Sequence, residues 1–345
     1  MTMLIKSSRH FPDTLMNAYR QQGDAPADAV MAAVVAEGGM PALRALMGAL
    51  ADTSALQPDK QPAAVRDFWA AYAQLPAWAD TARMARGMAF FNRNAGHIGL
   101  ILGCFSLPYC YLGADGAQVL WLTERIKNDT ARRLQETGEW VFAVNNPKSW
   151  QPGPAGQPVP DAIDRTLNVR LLHAGARWFT QHSGRWDVAW GVPINQEDMA
   201  GTNLAFSYVV LLGLRRAGVD ATEEDEEDYL HHINVVNWLN GVQVGLLPRN
   251  LREAYVLGRS IARRQFKPSE AGAGLTRALL NAIAVQGGGG LGQPDTIRNL
   301  AAGEMRFFLG DLHADWLEIP RVPLEKRMAG LLNRLPVFSQ FRPVG

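Results

Sequence analysis

The sequence has little cysteine, little excess charge and no long hydrophobic run. Only Cys104 and Cys110 occur, too few for a disulfide framework, so a reduced compartment is the default expectation. The 34 basic and 33 acidic residues nearly cancel, which argues against electrostatic capture by nucleic acid or an anionic membrane. The longest apolar run, 98–112, is too short to cross a bilayer and contains Pro108. We therefore expect no transmembrane segment.

The N-terminal residues lack the apolar core and small-residue cleavage site of a secretory signal. We therefore expect a cytoplasmic protein. An apolar content of 47% is ample for a buried core in a chain of 345 residues.

Helical periodicity dominates the chain. Apolar residues recur at spacings of three and four in 24–51 and again in 67–74, and alternating, strand-like stretches are few. The sequence therefore predicts an all-α fold: a single domain of ten or more helices that encloses a pocket and is compatible with globin-like packing. We expect an N-terminal helical segment (1–60) packed on a main body (61–320), although 1–60 could be a separate subdomain. A Pro-containing tail (321–345) should wrap the surface or bind a neighbouring subunit of a homo-oligomer.

Several helix ends can be read from the sequence. Asp161 should open a helix that Gly184 closes, after a Pro-rich connection at 145–160. Thr222 should be the N-cap before the acidic run 223–228, which suits the positive end of a helix dipole. The next segment, 229–247, has so many His and Asn residues that it could line a cavity.

The most informative stretch is 170–179, Arg-Leu-Leu-His-Ala-Gly-Ala-Arg-Trp-Phe. Arg170, His173 and Arg177 stand at i, i+3 and i+7 and share one helical face. An imidazole there is a candidate metal ligand, and the guanidinium groups could pair with carboxylates of a bound cofactor. Haem contains both a metal ion and carboxylate groups. The structural alternative is a core histidine bonded to a backbone carbonyl.

Two further segments accompany this stretch. Residues 130–138 read Thr-Ala-Arg-Arg-Leu-Gln-Glu-Thr-Gly, and 191–199 read Gly-Val-Pro-Ile-Asn-Gln-Glu-Asp-Met. In this order the three segments resemble the rubber-oxygenase family, which includes the latex clearing proteins and the oxygenase of the mycophenolic acid pathway. The resemblance covers roughly residues 80–250.

The resemblance implies a haem-dependent oxygenase with His173 as the axial iron ligand. It also implies that Arg133 and Thr137 lie beside the haem, at i and i+4 of one helix. The structural alternative for Arg133 is a surface ion pair with Glu136. No Cys-x-x-Cys-His motif occurs, so the expected cofactor is non-covalent haem b.

The chain departs from the family pattern at two positions. The latex-degrading members have a lysine before the threonine, where this chain has Glu136, and a catalytic glutamate further upstream, where this chain has Ala117. The base is therefore open among Glu136, Glu124 and Asp115, and Glu136 is favoured because it adjoins Thr137.

The segment 191–199 is expected to be structural. Gly191 and Pro193 suggest a turn, and Asn195 or Asp198 could cap the helix that follows.

The leading hypothesis is a haem b oxygenase that uses dioxygen to oxidise or cleave a double bond in a hydrophobic small molecule, isoprenoid or polyunsaturated. One alternative is a di-iron carboxylate oxidase that uses Asp228 with His231 or His232. The other is a non-catalytic helical carrier of hydrophobic ligands, in which His173 is only structural.

Overall fold

The computed structural model describes residues 6–51, 61–123, 125–153, 159–287 and 293–332. The described residues form α-helices, with one isolated β-bridge between Gly113 and Phe266 and no strand. The all-α prediction is therefore confirmed. How the chain divides into 1–60, 61–320 and 321–345 stays a prediction.

The first half of the chain contributes nine helices in its described residues. They are α1 (Asp13–Arg20), α2 (Ala25–Ala51), α3 (Ala63–Tyr72), α4 (Thr81–Arg93), α5 (Ala95–Ile101), α6 (Leu107–Tyr111), α7 (Ala114–Leu122), α8 (Arg125–Val144) and α9 (Asp161–Gln181). A short π-helical segment, Leu102–Ser106, joins α5 to α6.

The second half contributes eight more within the described ranges. They are α10 (Gln196–Phe206), α11 (Tyr208–Arg216), α12 (Glu223–Leu239), α13 (Leu251–Gln265), α14 (Glu270–Gly287), α15 (Pro294–Leu309), α16 (Asp311–Trp316) and α17 (Pro323–Leu332). The first part of the expected C-terminal tail is thus helix α17, which packs on α15.

Three apolar clusters form most of the core. The largest joins α5, α6, α11, α14 and α15. A second joins α2, α3 and α9, and a third joins α1, α10 and α13. Helix α9 also packs against α8 and α7. The N-terminal helices are therefore part of the body that holds the helix of His173.

The stretch Asp13–Ala51 is long and apolar enough, by length and composition, to cross a membrane. It comprises two helices, and α2 is broken at Gly39, whose φ of 66° lies in the left-handed region. Apolar residues of α2, among them Val34, Leu43 and Leu46, are buried in the second core cluster. Of the most apolar 18-residue window of this stretch, 28% is buried; core helices, membrane spans and N-terminal signal sequences share this length and composition.

The predicted helix ends are mostly confirmed. Helix α9 begins at Asp161, and Gly184 follows its end with a φ of 69°. Thr222 caps α12 in a capping box with Asp225, and Asn195 caps α10 by accepting a hydrogen bond from the Asp198 N–H.

Helix α12 ends at Leu239, so 229–247 is not one helix. Two buried polar side chains of α12 are bonded to backbone: His232 Nε2 lies 3.0 Å from the Val144 carbonyl, and Asn234 donates to the Pro248 carbonyl. These groups satisfy buried carbonyls of neighbouring segments. The end of the segment, with Trp238 and Val242, borders a cavity.

Candidate functional site

His173 lies in the middle of α9 and is half-buried. Its Nδ1 atom is buried and has no hydrogen-bond partner among the described residues. Burial and, to a smaller extent, the positive charge of nearby Arg177 together lower the pKa of His173 to about 4. The imidazole is therefore neutral near pH 7, which is the form that binds metals.

The face of α9 around His173 is partly accessible and mostly apolar. Val169, Leu172, Ala176 and Phe179 are all half-buried, whereas the residues that face α2 are fully buried. This face can border an apolar ligand, with His173 as its polar group.

The two arginines that flank His173 already have carboxylate partners. Arg170 donates to Asp24 through Nε (2.6 Å) and Nη2 (2.8 Å), and its Nη1 lies 3.4 Å from the Leu239 carbonyl. Arg177 donates through Nε to Asp28 (2.7 Å) and through Nη1 to the Ile194 carbonyl (2.8 Å). Only Arg177 keeps a buried nitrogen, Nη2, with no hydrogen-bond partner among the described residues.

Arg133 lies on α8, within electrostatic range of His173. Its positive charge contributes to the low pKa of His173 and opposes the increase that burial causes in the pKa of Tyr111. The structure thus brings the charge of Arg133 near the imidazole of His173 and the buried phenol of Tyr111. Nothing in the sequence pattern pointed to Tyr111, which ends α6.

Glu136 and Thr137 are placed less favourably. The Glu136 carboxylate pairs with Arg132 at 2.8 Å, and its side chain is 39% exposed. Glu136 is thus partly in solvent, and its ion-pair partner is Arg132 and not Arg133, the partner in the structural alternative. Thr137 is exposed.

Of the other two candidate bases, Asp115 has partners other than His173. Asp115 pairs with Lys267 at 2.8 Å and lies 3.8 Å from Arg20. Glu124 lies outside the described residues.

The residues of the di-iron alternative have other partners. Asp228 pairs with Arg83 at 2.6 Å and with Arg86 at 2.5 Å. His231 accepts a hydrogen bond from the Asp80 N–H, and His232 lies against the Val144 carbonyl. In the described part of the chain, no three His, Cys, Asp or Glu side chains form a metal-binding group. This arrangement does not support a carboxylate-bridged metal pair.

Two cavities lie outside the immediate surroundings of His173. One, of about 370 Å³, is bordered by Asp24, Tyr72, Arg170 and Trp238, behind the first half of α9. The other, of about 550 Å³, lies between Trp121, Glu270, Arg277 and Trp316. His173 lines neither of them.

The segment 191–198 connects several helices. The sequence predicted a structural role for it but not its partners. Gln196 donates to the carbonyls of Gly23 and Gly241. Glu197 is fully buried and accepts from Arg264 at 2.7 Å and from Gln265 at 3.0 Å. The carboxylates of Asp24 and Asp28 were also missed, because only the fold brings them to α9.

Comparison with known proteins identifies the family and the fold. The family described as "ER-bound oxygenase mpaB/B'/Rubber oxygenase, catalytic domain" matches residues 112–334. The rubber oxygenase of Streptomyces sp. (strain K30) is 24% identical over 323 residues, which cover 92% of this chain and 75% of that protein. The structure of latex clearing protein in its closed state superposes with a TM-score of 0.74 at 22% identity, covering 94% of this chain and 86% of that one.

These findings define the class as an all-α oxygenase catalytic domain. The chain belongs to the MpaB and rubber-oxygenase family, and the resemblance found in the three sequence segments is confirmed.

Proposed function

We propose that this protein is a haem b-dependent oxygenase that acts with dioxygen on a hydrophobic, unsaturated small molecule, isoprenoid or polyunsaturated. Family membership supports an oxygenase that acts on a hydrophobic unsaturated substrate. The observation that carries the cofactor assignment is the neutral imidazole of His173, whose buried Nδ1 lacks a hydrogen-bond partner among the described residues.

The residues around His173 fit a haem group. A neutral imidazole can act as the axial ligand, and when bound the haem iron supplies the activation of dioxygen. Arg177 can hold a haem carboxylate through its unpaired Nη2, because a buried guanidinium nitrogen favours a charged acceptor. Arg170 is less suited to this role because all three of its nitrogens already have acceptors.

The remaining residues of the site have separate tasks. Arg133 supplies a positive charge near His173, where it can stabilise negative charge that develops on the reacting oxygen. Thr137, four residues later, supplies a hydroxyl on the same helix. The half-buried apolar face of α9 contacts the substrate, which covers this face and so displaces water from it.

The substrate class rests on the relatives. The named Streptomyces relative is a rubber oxygenase, and rubber is an unsaturated isoprenoid. A small molecule with the same kind of double bond fits the half-buried apolar face formed by Val169, Leu172, Ala176 and Phe179.

The visible spectrum of freshly purified protein tests the proposal. We expect a Soret band and about one haem per chain, because the structure offers one histidine in this setting. His173→Ala should lose haem or shift the spectrum strongly, whereas His231→Ala, which removes a ring bonded to the Asp80 N–H, should retain it.

A colourless preparation that gains no Soret band on haem addition would refute the proposal. Hydrophobic ligand binding that survives His173→Ala, with no oxygen consumed, would instead identify a carrier. Iron without porphyrin would favour the di-iron alternative.

A further inference from the structure

Ile194 has a strained backbone in the segment that connects α9 to α10. Its φ is 49°, in the left-handed region, which a β-branched residue rarely adopts. The neighbouring backbone is fixed on both sides, because the Val192 N–H donates to the Arg20 carbonyl and the Gln196 N–H donates to the Gln22 carbonyl. Such strain persists only where the surroundings enforce it, and it occurs often at functional sites.

The strained turn directs one carbonyl at α9. The oxygen of Ile194 accepts a hydrogen bond from Arg177 Nη1 at 2.8 Å, while Arg177 Nε donates to Asp28 at 2.7 Å. The guanidinium is thus held from two sides, and Arg177 is only 1% exposed. Gly23 leaves room for it, since a Cβ there would lie 3.0 Å from Arg177 Cδ.

Arg177 stands four residues after His173 on the same face of α9, about one helical turn away. A group that fixes Arg177 therefore fixes the part of the helix that presents the imidazole. Arg170 offers a contrast, because it stands three residues before His173 in a buried pair with Asp24 and has no contact with the strained turn.

We propose that Arg177 and the backbone of Ile194 are positioning elements for His173: the strained carbonyl holds Arg177, and Arg177 fixes the direction in which the imidazole projects from the half-buried face of α9. This inference rests on the proposed function, in which His173 is a haem ligand. It gives the segment 191–198, which the oxygenase chemistry does not use directly, a role in orienting the ligand.

The test uses two matched pairs of variants in the haem-loaded protein. Arg177→Lys keeps the charge but cannot hold both acceptors, whereas Arg165→Lys makes the same change at an arginine of α9 that is paired with the exposed Asp161. Ile194→Pro fixes φ near about −65° and turns the carbonyl away, whereas Ile194→Gly keeps access to the left-handed region.

We expect Arg177→Lys and Ile194→Pro to lose haem about ten- to a hundredfold faster than wild type, as is typical when a ligand loses its outer support, and to shift the ferric absorption spectrum. Arg165→Lys and Ile194→Gly should match wild type in both measurements. If Ile194→Pro does not fold, the His173 ring signal of the haem-free variants decides, because Arg177→Lys also removes the nitrogen that can hold a haem carboxylate. Equal haem loss from the two arginine variants would overturn the inference, whether both lose haem faster than wild type or neither does.

A second measurement separates this inference from the proposed function. In haem-free protein, the ring signals of the seven histidines can be followed by NMR. The His173 signal should shift or broaden in Arg177→Lys and not in Arg165→Lys. An unchanged signal in Arg177→Lys would overturn the positioning role, and a wild-type protein that binds no haem would refute only the proposed function.

Discussion

Arg170 and Asp24 form a buried ion pair, with Nε 2.6 Å from Oδ2, in which the two side chains are 6% and 3% exposed. The pair joins α9 to the residue just before α2, and the Arg170 guanidinium also lies 4.5 Å from the centroid of the Tyr72 ring. It therefore links three parts of the chain next to the helix of His173.

Removing one partner of this pair should be costly. Arg170→Met leaves the Asp24 carboxylate buried without its cation, and we expect the free energy of unfolding to fall by about 3–5 kcal/mol. Arg132→Ala breaks the exposed pair with Glu136 and should cost less than about 1 kcal/mol. Urea unfolding of both variants measures the difference, and equal losses would contradict the importance of the buried pair.

Stability should fall in mild acid because of His232. Burial lowers its pKa to about 3, so the folded protein binds fewer protons than the unfolded chain between about pH 6.5 and pH 3. The contribution of His232 to the free energy of unfolding is fully present above pH 6.5 and is lost as the pH falls. At pH 5 the loss is on the order of 2 kcal/mol.

His232→Gln should remove that part of the acid sensitivity. Comparing urea unfolding at pH 7 and pH 5 checks it, with exposed His182→Gln as the control. A pH dependence that is the same in wild type and His232→Gln would show that His232 does not cause it.

Two helical glycines should respond in opposite ways to alanine. A Cβ at Gly213 would lie 2.6 Å from Ile101 Cγ2, and overpacking of this kind costs about 1–3 kcal/mol. A Cβ at Gly48 meets nothing within 4 Å, so Gly48→Ala should stabilise by roughly 0.5–1 kcal/mol through helix propensity. Thermal unfolding distinguishes the two signs, and stabilisation by Gly213→Ala would mean that α5 and α11 are further apart than described.

Arg133→Ala should retain haem but slow oxygen consumption, by about a hundredfold, if its charge stabilises the transition state in a water-excluded site. Arg165→Ala, which removes an arginine paired with Asp161 on α9, is the control and should consume oxygen at the wild-type rate. Oxygen electrode measurements with matched haem content decide. Full activity of Arg133→Ala would place α8 outside the reacting pocket.

Glu136→Gln tests whether Glu136, the base that the sequence favoured, accepts a proton in the reaction. If Glu136 accepts a proton, oxygen consumption should collapse by about a hundredfold or more while haem content stays unchanged, because the amide keeps the shape and loses the basic oxygen. Its partial exposure and its pair with Arg132 do not favour this role. Unaltered turnover would remove Glu136 from the mechanism.

Local features of the sequence determined the helices and several of their ends. Thr222 followed three residues later by Asp225 produces a capping box, and Asn195 caps α10, because a side-chain oxygen near its own helix start satisfies an N–H that has no other partner. The shared face of Arg170, His173 and Arg177 also follows from the helical repeat alone. The family could be recognised from three short segments because each is a contiguous run of residues that can be read without the fold.

Partner choice was decided only by the tertiary structure. No local rule connects Arg170 with Asp24, which is far away in sequence, or Arg177 with the carbonyl of Ile194. The polar residues of α12 suggested a cavity, but packing against the end of α8 gave His232 a backbone carbonyl instead. The sequence thus determined which residues share a helical face, because that depends on the period of one helix. The fold decided which charges neutralise each other, because buried charges take the partners that packing brings within a few ångströms.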